Sequence, residues 1–461
     1  MAFYVPEVST RLNSPRCPMA ESNSVSKEAP AAVGSGGSSK FKKFAKVGAW
    51  VLILLVLIGT YLWEFERPSH SAPKEPAKAI VASGDAIKDS IRRAAEYLRI
   101  HQEENGHFSR GALDPKPAFT ALVVDALARS PEKYRADTPF IKKAVDAILK
   151  TKQKNGSFCT PVIGLNTYCT AITIMALTSL EDPALQKDVE DARDYLLTTQ
   201  NQDEDSADLG GVGYTGPNEA SGDVTANWIE AMRAAGVKKG DPRFDKAMAN
   251  AEKFFNRLQN NAEINKNPAP GTAVGGDGGS FYRPGESAAG YDMKDGKKVL
   301  RSYGLMSYAS LKSFLHLNLT KDDDRVSSAY KWVRNNYTLD ENKNIGANGL
   351  YYYYLTMAKA LYIYGEPEIK TADGQTHRWA EELSQRLIAN QASDGSWHNS
   401  QSSQWMENDS VLVSGFAIRT LSICHDQLER EAHAKKIEPT SPESKPAAPA
   451  DPAPAAPADS K

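Results

Sequence analysis

The chain has 461 residues, with 55 Lys and Arg against 57 Asp and Glu and a formal net charge of −2. This near balance excludes a whole-molecule field that would recruit nucleic acid, so a charged ligand must be recognised locally. The length admits two or three average domains, but both ends read as unfoldable, which leaves one domain of about 350 residues.

In chain order, residues 1–39 are rich in Ser, Gly, Pro and Ala, and residues 1–46 are expected to form a disordered cytoplasmic tail. Val47 to Trp63 reads VGAWVLILLVLIGTYLW, uncharged and just long enough to cross a bilayer as a helix. Lys40, Lys42, Lys43 and Lys46 precede it, and Glu64 and Glu66 follow. The positive-inside rule then puts the N-terminus in the cytoplasm and the main domain outside, the arrangement of a single-pass bacterial inner-membrane protein with a periplasmic domain. A cleaved signal peptide is the competing reading; the long leader and the lack of a small-x-small site disfavour it, and a start at Met19 would shorten the leader. Residues 64–84 read as a linker, 85–430 as the folded domain and 431–461 as a disordered Pro/Ala-rich tail.

Within the domain the chain repeats itself. A charged amphipathic helix ends in Gln, a Gly-bearing loop with an aromatic residue follows, and then an apolar helix rich in small residues. The first copy carries Gln102, Gly106 and Phe108, the second Gln153, Gly156 and Phe158, and the sixth Gln391, Asp394, Gly395 and Trp397. The third and fourth copies keep the order around long loops (201–222 and 262–300), and the fifth, VSSAYKWVRNNY with GLYYYYLTMAKALYIYG, lacks the glutamine. The first helix of each pair has one apolar face and belongs on the surface; the second is apolar nearly all round and must be buried. Six such pairs predict an all-α (α/α)6 toroid, with an open solenoid as the alternative. No strand-like alternation competes. Asp182-Pro183 and Asp241-Pro242 mark helix starts.

The run QASDGSW, holding Gln391 to Trp397, resembles the QW motif of squalene-hopene cyclases. Over residues 85 to 428 the chain is similar to bacterial prenyltransferase and squalene oxidase repeat proteins, through segments such as GGSFYRPG, RSYGLMSYASLKSF and QWMENDSVLVSGFAIRTL. The resemblance implies the squalene cyclase-like toroid and gives the glutamine, glycine and aromatic residues a structural role, with no agreed activity. It also exposes departures. The Asp-x-Asp-Asp acid of the triterpene cyclases is absent. Asp322, Asp323 and Asp324 stand where a helix must begin and read as caps, and Glu204, Asp205 and Asp208 read as a solvated acidic loop. Where prenyltransferase beta subunits have a YHT-type helix start with a zinc ligand, this chain has Leu355 in Tyr353-Tyr354-Leu355-Thr356. The Cys-Gly-Glu-Gln of thioester domains does not occur.

No metal or other cofactor is expected. Cys17, Cys159, Cys169 and Cys424 form no CxxC pair and no zinc spacing; Cys159 and Cys169 are equally readable as a disulfide and as two buried thiols. His101, His107 and His398 lack a partner pattern and read as loop residues.

A ligand entering a toroid first meets the starts of the buried helices. The candidate mouth residues are Asp223, Thr225 and Asn227; Arg301, Ser302 and Tyr303; Tyr351 to Tyr354, with Tyr351, Tyr353 and Tyr354 the ones favoured; Lys359; and Trp405, Glu407 and Asp409. Four consecutive tyrosines cover every face of a helix, so at least one must face the axis, where an aromatic ring suits a cationic ligand or intermediate. Three functions compete. The first is a binding or scaffold module for an isoprenoid, a lipid or a periplasmic protein, which retained scaffold residues without catalytic motifs would give. The second is a cyclase- or transferase-like enzyme on an isoprenoid. The third is a carbohydrate lyase or hydrolase. They differ in the cavity they require: filled or shallow, apolar and aromatic, or polar and charged.

Overall fold

In a computed structural model, which describes residues 83–109, 111, 114–160, 164–238 and 240–437, the periodic segments become twelve α-helices. They are α1 (Gly84–Ile100), α2 (Lys116–Ala128), α3 (Pro139–Leu149), α4 (Asn166–Ser179), α5 (Gln186–Leu197), α6 (Gly222–Ala234), α7 (Pro242–Leu258), α8 (Gly304–His316), α9 (Asp324–Asn336), α10 (Leu350–Tyr364), α11 (Trp379–Ala389) and α12 (Ser410–Ile437). The odd-numbered helices bury one stripe: α1 hides Ile87, Ile91, Ala94 and Leu98, residues three or four apart, with Ser90, Ala95 and Tyr97 beside them, and turns its charged face to water. The even-numbered ones are enclosed; in α2 every residue but Lys116 and Leu122 is buried.

Each even helix packs on the next, α2 on α4, α4 on α6, and so on to α12, which packs back on α2. The inner ring therefore closes and the open solenoid is ruled out. The odd helices lie outside it against their partners, and one continuous apolar core joins both rings. Asp241 accepts from the Arg243 N–H at the start of α7, and Asp323 from the Arg325 N–H at the start of α9, so both cap as expected; Asp182 caps a 3₁₀ turn just before α5.

Sequence periodicity missed five short strands. β1 (Thr272–Ala273), β2 (Tyr291–Lys294) and β3 (Lys297–Leu300) form a sheet in the order β1-β3-β2, and β4 (Ile369–Lys370) pairs with β5 (Thr376–His377). Two to four residues are too few for alternation to register.

The repeated glutamine is a clamp between neighbouring repeats. The Nε2 amide of Gln200 donates to Gly210 O (2.9 Å) and to Ala247 O of the next outer helix (2.8 Å). Gln102 does the same to Gly106 O and Phe140 O, Gln259 to Gly278 O and Arg325 O, and Gln391 to Gly395 O and Ser90 O. The loop glycine lies against the carbonyl three residues further on. At Gly210 (φ 82°) a Cβ would stand 1.8 Å from Asn250 O, so only glycine fits. The second repeat departs: Gln153 turns to Thr151 O and Cys159 O, and Lys152 reaches the next outer helix instead through Asp188 and Asp191.

A second repeated bond was not anticipated. A hydroxyl in the first turns of an inner helix accepts the N–H of the residue two beyond the loop glycine: Thr120 from Phe108, Thr170 from Phe158, Thr225 from Val212, Ser307 from Ser280 and Ser414 from Trp397. Asp394 accepts from Ser396, and the Trp397 indole donates to Leu387 O at the end of α11.

Cys159 and Cys169 are free and buried, as is Cys424, so the disulfide alternative is not the one realised. Burial pushes the Cys169 thiol up to about 12 and keeps it protonated. Among the described residues no helix is long and apolar enough to cross a membrane; Val47 to Trp63, the linker and both tails lie outside those residues.

Candidate functional site

The inner helices begin on one face of the ring, and their first residues converge on the axis. There a cavity of about 40 Å³ is lined by Asp223 of α6, Glu407 and Trp405 from the loop before α12, and the rings of Tyr168, Tyr214 and Tyr352, with Phe119, Leu412 and Phe416 behind. Below it a second cavity of about 20 Å³ shares Tyr168, Tyr352 and Phe416, which stand as a septum between the two. One buried water needs about 10–15 Å³ of such space, so the upper cavity has room for about three waters and the lower for one or two.

Asp223 is 3% exposed. Its Oδ2 accepts from the Tyr214 hydroxyl at 2.8 Å, while Oδ1 is buried without a hydrogen-bond partner. Burial pushes its pKa up against the lowering effect of Ser221 and Tyr214 beside it. Glu407 is fully buried; Oε1 accepts from the Tyr352 N–H (2.8 Å), capping α10, and Oε2 accepts from Asn399 Nδ2 (2.8 Å). Burial outweighs these bonds and pushes its pKa up to about 7. Trp405 and Met406 are consecutive residues in the left-handed region, at φ 59° and 64°, a strained conformation for bulky side chains. That bend lays the Trp405 ring on Gly349, where a Cβ would stand 2.1 Å from it.

Beneath the septum lies a layer of charge. Glu230 of α6 accepts from Lys312 of α8 and from Lys359 of α10, both at 2.7 Å. Burial raises the Glu230 pKa, but the two ammonium groups more than offset this and hold it well below the usual range. Asp125 of α2 pairs with Arg129 at 2.7 Å and with Arg419 of α12 at 3.5 Å. Burial lowers the pKa of Lys359 and of Arg419, and takes His316 down to about 4, so that this imidazole is neutral.

Of the sequence candidates, Asp223, Trp405 and Glu407 meet at the mouth, and Asn227 and Lys359 line the lower cavity. The others do not reach it. Only Tyr352 of the four tyrosines faces the axis, its hydroxyl accepting from Asn227 Nδ2 at 3.2 Å. Tyr351, Tyr353 and Tyr354 turn into the packing: Tyr353 donates to Thr338 O and stacks edge-on with Tyr308, and Tyr354 donates to Leu339 O and packs on Tyr351. A helix advances by about 100° per residue, so one of four neighbours points inward. Arg301 precedes α8 by three residues and extends across the β2–β3 hairpin to the exposed Asp292; it is a surface ion pair. Tyr303 is buried at the start of α8 and is not among the residues lining either cavity. Ser302 bonds Asp277 and Asn260, Thr225 bonds the loop, and Asp409 caps α12.

No protein-family model matches the chain, and no curated protein matches it. Solved structures do resemble it. The type II terpene cyclase MstE from Scytonema is similar with a TM-score of 0.47 at 10% identity, covering 75% of this chain and 99% of its own. A polysaccharide lyase gives 0.49 at 11%, covering 76% and 99%. A family 76 glycoside hydrolase (mannosidase) from Bacteroides thetaiotaomicron gives 0.49 at 12%, covering 76% and 99%. The toroid described above rests on this chain's own helix contacts.

Proposed function

We propose that the protein is a membrane-anchored binding module, held outside the cytoplasm by Val47 to Trp63, which receives a projecting cationic group of a partner at the toroid mouth and encloses no isoprenoid. The observation that carries this is the filled axis. The two cavities offer about 40 and 20 Å³, whereas pockets that engulf drug-sized ligands run to several hundred. The mouth chemistry supports a cation. Two buried carboxyl groups, Asp223 and Glu407, stand among the rings of Tyr168, Tyr214, Tyr352 and Trp405, and aromatic faces with an acid behind them suit an ammonium head.

The test is lipid extraction and native mass spectrometry of full-length protein purified from a bacterial membrane, with titration of methylammonium as the smallest mimic of such a head. The expected result is no stoichiometric isoprenoid, and methylammonium binding that weakens about tenfold in Asp223→Asn, a loss of about 1.4 kcal/mol. A stoichiometric isoprenoid, lost in Tyr352→Ala, overturns the proposal.

One observation favours a second reading, a carboxyl-dependent enzyme. Asp223 is raised by burial with Oδ1 unpartnered, and Glu407 of the same cavity has a pKa of about 7, two carboxyl groups suited to proton transfer. Turnover of an isoprenoid or an oligosaccharide that disappears in Asp223→Asn would establish it over the binding reading.

A further inference from the structure

The charged layer under the septum does not balance. Two carboxylates, Asp125 and Glu230, face three interior cations, Lys312, Lys359 and Arg419, while Arg129 beside Asp125 is partly open to solvent and the neutral His316 contributes nothing. The next carboxylate, Asp426, is half exposed and acts on Arg419 only at a distance. Lys312 and Lys359 share the single carboxylate of Glu230, one to each oxygen. Arg419 is the least satisfied. It is an arginine in the inner ring with five donors to place, and its buried Nε makes no hydrogen bond, facing the Asp125 carboxylate only at 3.5 Å. Both Arg419 and Lys359 border the lower cavity, where the Asp125 carboxylate, Asn227 and the Tyr168 and Tyr352 side chains are the further polar groups and the remaining walls are apolar.

We propose that this lower cavity is a binding site for a monoatomic anion of chloride size, held between Arg419 and Lys359. Surplus positive charge calls for an anion where a water could supply an acceptor but no countercharge. The volume, about 20 Å³, suits one particle about the size of a water and has no room for sulfate or phosphate. The inference does not rest on what the mouth binds, because Arg419 and Lys359 line the lower space and not the upper one.

The experiment is a melting series on the full-length protein in detergent at fixed ionic strength, exchanging sodium gluconate for sodium chloride or bromide. The expected result is a rise in Tm that grows with the logarithm of halide concentration and reaches about 3 °C at a hundred times the dissociation constant, absent in Arg419→Gln. Should that variant fail to fold, a bromide-grown crystal of the unmodified protein gives an independent reading, an anomalous peak between Arg419 and Lys359. Melting that follows ionic strength alone whichever anion is present, together with no bromide peak, overturns the proposal.

Discussion

Glu407 shows how much one side chain's surroundings decide. Its carboxyl caps α10 from another repeat, yet burial lifts its pKa from the usual 4.5 to about 7. A carboxyl raised on folding contributes stability that is complete below its unfolded pKa and is lost as pH rises through its folded one. Between pH 4.5 and 7 the protein should therefore lose about 3 kcal/mol through this group. Comparing urea denaturation of the native chain and Glu407→Gln across that window checks it: the slope should flatten in the variant. An unchanged slope would place the proton elsewhere. The sequence marked Glu407, Asp223 and Trp405 because they stand at the starts of buried helices, and all three line the mouth. It could not pick Tyr352 from Tyr351, Tyr353 and Tyr354, because a four-residue run has no period to phase it. Arg301 was misplaced for a different reason: two residues, Ser302 and Tyr303, separate it from α8, and its side chain pairs with Asp292 of the hairpin instead.

At the level of the element, the two recurring loop bonds set how repeats join. Gln391 and Ser90 bond reciprocally, side chain to side chain at 2.8 Å and amide to carbonyl at 2.9 Å, fastening α11 to α1. Gln391→Ala should cost about 1–3 kcal/mol through carbonyls and a hydroxyl left short of partners, and amide exchange should quicken in α1 and α11 before it does in α7. Gly210→Ala should cost about 2–4 kcal/mol, since it combines a left-handed backbone with a collision against Asn250 O; a thermal melt reads this directly. The glutamines, loop glycines and helix pairs were legible because they recur. The hydroxyl that receives the loop N–H recurs as well, but at offsets of 12, 12, 13, 27 and 17 residues as loop length varies, which hides it from a reader seeking a fixed period.

Across the whole molecule, five of the six inner helices carry one charged residue at the same depth: Asp125, Glu230, Lys312, Lys359 and Arg419 each stand eight or nine residues beyond their helix start. A charge set in the apolar middle of an inner helix was a signal available in the sequence, and of these five only Lys359 was taken up. Its companions become meaningful once the ring sets them side by side. Glu230→Gln, which strands Lys312 and Lys359 in the interior, should cost about 3–5 kcal/mol in chemical denaturation; a loss below 1 kcal/mol would mean that solvent reaches the layer.

The contact between Gln391 and Ser90 spans 301 positions of chain. A ribosome delivers such a chain from its N-terminus at about 5–20 residues per second, so α1 emerges at least about fifteen seconds before its clamp exists. During that interval the apolar flanks of α1 and α2 that will meet α11 and α12 stay uncovered, and a nascent ring needs an escort, a chaperone or the membrane surface itself, until the last repeat arrives to shut it.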